Sequence, residues 1–136
     1  MWPNAFEDVP NLKMLSLANN DLHEVLPDMF VNLKLLKQLD LSDNKLSEFN
    51  KLDFEHLKSL DTLILNRNKL DHIPINALNG IRSLEKLYLS GNEIFLLKFE
   101  EGSESWARVE KIKLLDFSFN KLTIITKETF QRNQML

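Results

Sequence analysis

The 136-residue chain is 43% apolar and 27% charged, the make-up of one folded domain rather than a disordered segment. Its 17 basic and 20 acidic residues leave a net charge of −3, too weak a field to gather nucleic acid or an anionic membrane. No apolar run approaches the roughly 18 residues of a membrane span, the opening MWPNAFEDVP does not itself read as a secretory signal, and without cysteine there is neither disulfide nor thiolate chemistry.

Leucine is the outlier, with 27 copies, and such bias comes from a repeating unit. Residues 1–11 place Met1, Phe6 and Val9 in the spacing of the rear half of a unit. From Leu12 a full frame, LxxLxLxxNxL, runs through Leu15, Leu17 and Asn20 to Leu22. It returns at Leu36 with Asn44, at Leu60 with Asn68, at Leu84 with Asn92, and at Ile112 with Asn120. The first four asparagines are 24 residues apart and the fifth follows after 28. Behind each frame come an apolar residue, a bulky one five further on and another three later, as in Val25, Phe30, Leu33 and in Phe49, Phe54, Leu57. Counting back from Ile112 gives Trp106 and Val109 these roles, so the fourth unit carries four extra residues between Leu97 and Trp106. The chain therefore divides, within one domain spanning 1–136, into a partial repeat 1–11 and repeats 12–35, 36–59, 60–83, 84–111 and 112–135. Both ends stop inside the pattern, and the expectation is a segment of a longer chain or a poorly capped gene product.

The LxL core of each frame alternates like a strand, and one such rung can bury its leucines only against the rungs on either side. The recurring asparagine sits where the strand ends. Its side chain offers one acceptor and two donors to backbone groups that have left the ladder, so Asn20, Asn44, Asn68, Asn92 and Asn120 read as a structural ladder. Phe6, Phe30, Phe54, Leu78, Trp106 and Phe130 read as an apolar spine behind it.

Five frames in phase resemble the leucine-rich repeat proteins of the typical 24-residue class, LxxLxLxxNxLxxLxxxxFxxLxx, over nearly the whole chain. The resemblance implies an α/β fold: a right-handed, curved solenoid with a short parallel β-sheet on its concave face and loops or short helical turns behind. This Phe-spined class looks like the ectodomains of Toll-like receptors and cell-adhesion proteins. The implied function is a non-catalytic protein-binding segment of a cell-surface or secreted recognition receptor, as in signal transduction or innate immunity. The alternative is an intracellular scaffold or regulatory subunit, which the lack of cysteine and of any Asn-x-Ser/Thr glycosylation acceptor would suit.

The solvent-facing positions of the five units, Ser42 and Thr62 among them, balance five cations, Lys13, Lys37, Arg67, Lys86 and Lys113, against Asp40, Asp43, Asp61, Glu85 and Asp116. That surface suits a protein ligand and not a phosphate backbone. Tyr88 with Ile64 beside it, flanked by Arg67 and Lys86, is the expected contact centre, with Phe119 and Leu114 on the last strand next, because aromatic residues and arginine dominate interface energies. Asp61 and Glu85 share a column on adjacent strands, about 4.8 Å apart, but on an open wet face nothing tunes them for acid–base work. His23, His56 and His72 do not converge on a metal or a nucleophile, and three glycines make no phosphate loop, so no enzyme, cofactor or metal is expected. The acidic insertion with Glu100, Glu101 and Glu104 reads as a solvated loop, and Phe95, Leu96 and Ile124 as apolar extras that cover it or form a contact patch.

Overall fold

The computed structural model describes residues 5–97 and 111–125. Met1, Trp106, Val109, Phe130 and the acidic stretch around Glu100, Glu101 and Glu104 lie outside them.

Each frame forms a three-residue strand at its LxL centre: β1 (Met14–Ser16), β2 (Gln38–Asp40), β3 (Thr62–Ile64), β4 (Lys86–Tyr88) and β5 (Leu114–Asp116). They build one parallel sheet in the order β1-β2-β3-β4-β5, with Leu15, Leu39, Leu63, Leu87 and Leu115 in register. Constant repeat length is what sets this register, because each turn of chain returns the same slot to the same height. The fifth unit joins in phase, so the extra residues of the fourth unit do not shift the strand.

Between strands the chain crosses the convex side in short turns: a 3-10 turn at Pro27–Phe30, a helix α1 at Ile75–Leu78, and hydrogen-bonded turns over 51–56. Pro27 opens the first of these, where its fixed φ fits and its missing N–H is no loss. The turns stay short because only two or three apolar slots per unit point inward. Phe30, Phe54 and Leu78 are fully buried, and the Phe6 ring stacks on Phe30 at 6.3 Å.

The core has one gradient. Leu36, Leu39, Leu41 and Leu46 are fully buried, as are Leu60, Leu63, Leu65 and Leu70, and Leu84, Leu87, Leu89 and Ile94 nearly so. Most of the same slots in the end units, Leu12, Leu15, Leu17 and Leu22 on one side and Leu115, Phe117 and Leu122 on the other, are only partly buried, while Ile112, which opens the last frame, is fully buried. A leucine is sealed when it has a rung above and below.

The convex side also holds a buried carboxyl group. Asp53, 1% exposed, accepts the Asn50 backbone N–H on Oδ2 at 2.7 Å and returns its own N–H to the Asn50 carbonyl, closing the turn on itself. Oδ1 has no hydrogen-bond partner among the described residues. Burial pushes this carboxyl above its ordinary range, against the pull of the Asn50 hydrogen bonds. A carboxyl raised on folding contributes stability that is fully present below its unfolded value, near 3.8, and is lost as the pH climbs through the folded value. Asp53→Asn keeps an acceptor for Asn50 and cannot ionise. The thermal-melt difference between wild type and Asp53→Asn is therefore expected to shift in favour of wild type as pH falls from 7 towards 3.5. Because Asp21, Asp43 and Glu93 are held low by Lys45, Arg67 and Lys121, they act in the opposite sense in both proteins and cancel in the comparison.

Candidate functional site

Side chains of successive strands align in columns across the concave face. One column reads Met14, Gln38, Thr62, Lys86, Leu114 and the next Ser16, Asp40, Ile64, Tyr88, Asp116. At the centre of this sheet lies a shallow, open depression of about 270 Å³ lined by Gln38, Thr62, Ile64, Asn66, Lys86 and Tyr88. Ile64 pairs with Tyr88 and Thr62 with Lys86 in the strand register, so these four side chains meet because the repeat puts them 24 residues apart.

Tyr88, Ile64 and Lys86 thus come together, and Leu114, 37% exposed, stands next to Lys86 on β5. Arg67 and Phe119 do not join them. Both lie beyond the strands, in the turn before the ladder asparagine, which corrects the placement of Phe119 on the last strand. Every unit needs a left-handed residue at this turn: Asn19, Asp43, Arg67, Gly91 and Phe119 have φ of 57°, 53°, 49°, 70° and 53°. The geometry lets the turn's N–H reach the next rung, as when Arg67 N–H donates to the Ser90 carbonyl at 2.8 Å and Gly91 N–H to Ser118 at 2.9 Å. Asn, Asp and Gly accept it readily; Arg and Phe do so at a cost. Gly91 is favoured twice over, since a Cβ there would also stand 2.9 Å from Arg67 Cγ, which would have to shift.

Arg67 recovers part of its strain by a two-pronged bond to Asp43, Nε to Oδ1 at 2.6 Å and a terminal nitrogen to Oδ2 at 2.5 Å, which holds the Asp43 carboxyl below its ordinary range. Phe119 is 88% exposed. Phe119→Gly removes a left-handed bulky residue with no core to lose, so it is expected to raise stability by about 1 kcal/mol, read as a shift in the denaturation midpoint.

Two other positions read as solvent-facing are buried: Thr62 is 8% exposed and Ser42 is 6% exposed. Thr62 Oγ1 donates to Asp61 Oδ1 at 2.7 Å, and Ser42 gives both its N–H and its hydroxyl to Asp40 Oδ1. At the last rung Ser118 N–H likewise donates to Asp116. Glu85 is paired with Lys113 at 3.0 Å. The acidic members of the face are therefore engaged by neighbouring side chains or main-chain N–H groups. His56 lies 3.3 Å from Glu55 and His72 contacts Asp71, while His23 belongs to neither pair. Among the described residues no group of three His, Cys, Asp or Glu side chains is placed to hold a metal ion, and no helix is long and apolar enough to cross a membrane. Phe95, Leu96 and Ile124 are 55%, 40% and 60% exposed.

Beneath the face, the side chains of Asn44, Asn68, Asn92 and Asn120 each tie two rungs together. Asn68 Nδ2 donates to Leu41, Leu65 and Asn66 carbonyls, and its Oδ1 accepts the Leu46 N–H at 3.0 Å. Asn44, Asn92 and Asn120 make the corresponding cross-rung bonds, to Leu22, Leu70 and Ile94 N–H. Among the described residues Asn20 bonds only within its own turn, to Leu17 and Ala18. The depression consequently has a stiff floor.

Gln38, Thr62 and Asn66 line the depression without having been singled out in the sequence. Their signal was the column itself: Thr62 and Gln38 stand 24 and 48 residues before Lys86, and Asn66 fills the polar slot two after Ile64.

The solved structures with this architecture include TLR13, in a complex with the single-stranded RNA ssRNA13, at 23% identity and a TM-score of 0.83 over 94% of this chain and 18% of that one. An internalin from Listeria monocytogenes matches at 24% identity and 0.69, over 93% of this chain and 34% of that one. A leucine-rich repeat protein of Leptospira interrogans matches at 27% and 0.70, over 89% and 29%. The chain thus spans about a third or less of each of these proteins. No curated protein sequence matches significantly. The family description Leucine rich repeat matches residues 2–46 and 44–94, and with the parallel one-strand-per-unit solenoid this makes the chain a member of the leucine-rich repeat family.

Proposed function

We propose that this chain is a non-catalytic protein-binding module that contacts its ligand through the concave face, with Tyr88 and Ile64 at the centre, Lys86 and Leu114 beside them, and Arg67 and Phe119 on the adjoining rim. The observation that carries the reading is the central depression, where an aromatic, an aliphatic and a cationic side chain meet on a sheet stiffened from below. Rigid, partly apolar concavities are where binding energy concentrates, because little ordering entropy is lost on contact. The charge balance of the face favours a protein over a polyanion; the RNA in the TLR13 complex is a property of that protein.

The proposal extends to a recognition segment of a cell-surface or secreted receptor, supported by the Phe-spined repeat class; an intracellular scaffold is the alternative. Photo-crosslinking from position 88 in native cells, with position 55 on the convex side as control, tests the contact surface. Protein adducts specific to position 88 are expected. Adducts to nucleic acid, or equal yields from both positions, would contradict the reading. Surface labelling of the endogenous protein on intact cells decides its location.

A further inference from the structure

The six side chains lining the concave depression are unequal in what they offer a ligand. Lys86 is the one charged group among them, and it is positive. Tyr88 adds a hydroxyl and Gln38 an amide. The Asn66 side-chain oxygen Oδ1 accepts the Ser90 N–H at 2.8 Å, which leaves its Nδ2 as the group it can offer. The Thr62 hydroxyl already donates its hydrogen bond to Asp61. The remaining wall, Ile64 with the ring of Tyr88, is apolar. The depression is therefore rich in donors, carries one positive charge and has a greasy side.

The surroundings set a limit on that charge. Along the column through Ile64 and Tyr88, Asp40 stands one strand before Ile64 and Asp116 one strand after Tyr88, and Glu85 is paired with Lys113. A ligand laid across the strands meets carboxylates on either side of the depression, about 14 Å apart over three strand spacings. Several acidic residues in a row would be repelled at both ends.

We propose that this depression seats a single carboxylate side chain, Glu or Asp, from an extended segment of a protein partner, with its methylene stem on Ile64 and the Tyr88 ring and its oxygens on Lys86 Nζ. Apolar neighbours of that residue extend towards Leu114, and basic residues are favoured over Asp40 and Asp116. The inference rests on the concave face being the protein-binding surface and adds the chemistry of what it recognises.

A phage-displayed random dodecapeptide library, panned in parallel on the whole chain, on Lys86→Glu and on Tyr88→Ala, tests it. Both substitutions are at solvent-facing strand positions, and unchanged thermal melts establish that the variants are folded. On the native chain the selected peptides are expected to share one Glu or Asp next to an aliphatic or aromatic residue. Replacing that acid by Gln or Asn should weaken binding several-fold, and Lys86→Glu should weaken it roughly tenfold and turn the selected position to Lys or Arg. An octaglutamate peptide should bind no better than the single-acid sequences. Peptides that need Tyr88 but show no acidic position, or affinity that climbs with the number of acids, would overturn the inference while leaving the concave surface in place. Peptides indifferent to both Tyr88→Ala and Lys86→Glu would overturn the concave surface as well.

Discussion

Replacing Asn68 by alanine is expected to destabilise the protein by about 3 kcal/mol, while the same change at Asn20 should cost less than about 1 kcal/mol. The two residues occupy the same slot of the repeat, so the difference is purely one of neighbours. At Asn68 the substitution strands the Leu46 N–H, a buried donor with no other partner among the described residues, and an orphan of that kind costs about 1–3 kcal/mol. It also removes three Nδ2 bonds, whose effect is smaller: the Leu41 carbonyl still receives Asn44 Nδ2 and the Leu65 carbonyl still receives Asn92 Nδ2. Asn20 is exposed, and its two bonds close only its own turn, to groups that water can serve. Urea denaturation of the two variants beside wild type checks this. Equal losses at both positions would mean that the asparagine acts within its own turn and does not couple rungs.

The second large effect concerns the leucines. Leu63→Ala removes a fully buried side chain from the middle strand, with closed rungs on both sides that leave little freedom to collapse into the cavity, and should cost about 3–4 kcal/mol. Leu15→Ala, in the same column of the sheet, should cost about 1–2 kcal/mol, because Leu15 is only partly buried to begin with. Measured by the same denaturation experiment, the ratio of the two losses reports how much of a rung's core is supplied by the rungs around it.

How much of this was legible beforehand follows from what repeats and what does not. The strand positions, their parallel register and the buried frame residues were readable because five copies carry them, and a slot kept apolar five times can only face the interior. The position before each asparagine was harder. Asn19, Asp43 and Gly91 fit a left-handed turn, but Arg67 and Phe119 hide it, so Phe119 passed for a strand residue. Strands of three residues end sooner than the alternation alone implies. Thr62 and Ser42 passed for exposed because their parity points outward; their hydroxyls fold back onto neighbouring carboxylates, a local bond that periodicity does not register. Asp53 had no signal at all, since other units place no acid at its slot and its burial depends on the turn it closes with Asn50. Within the candidate site, the column arithmetic that groups Tyr88, Ile64 and Lys86 also reaches Gln38 and Thr62, but that these and Asn66 bound one depression emerges only when the sheet is assembled.

The floor beneath the depression matters for recognition as well as for stability. Ile64 and Tyr88 are held at one strand spacing by main-chain bonds above and below them, such as Leu65 N–H to the Tyr88 carbonyl at 2.8 Å. A ligand therefore meets side chains whose backbone is already ordered, and the contact loses little entropy beyond the rotamers of Lys86 and Gln38.

Native-state amide hydrogen exchange addresses most directly the claim that rungs are stable only through one another. The Leu46 and Leu70 amides, each given to an asparagine oxygen of the following rung, should exchange only through the largest opening, and the Leu22 amide sooner. In Asn68→Ala the protection of Leu46 should fall, and with it that of Leu70 one rung away. Protection lost at Leu46 alone, with Leu70 unchanged, would show that each rung stands by itself and would contradict the account.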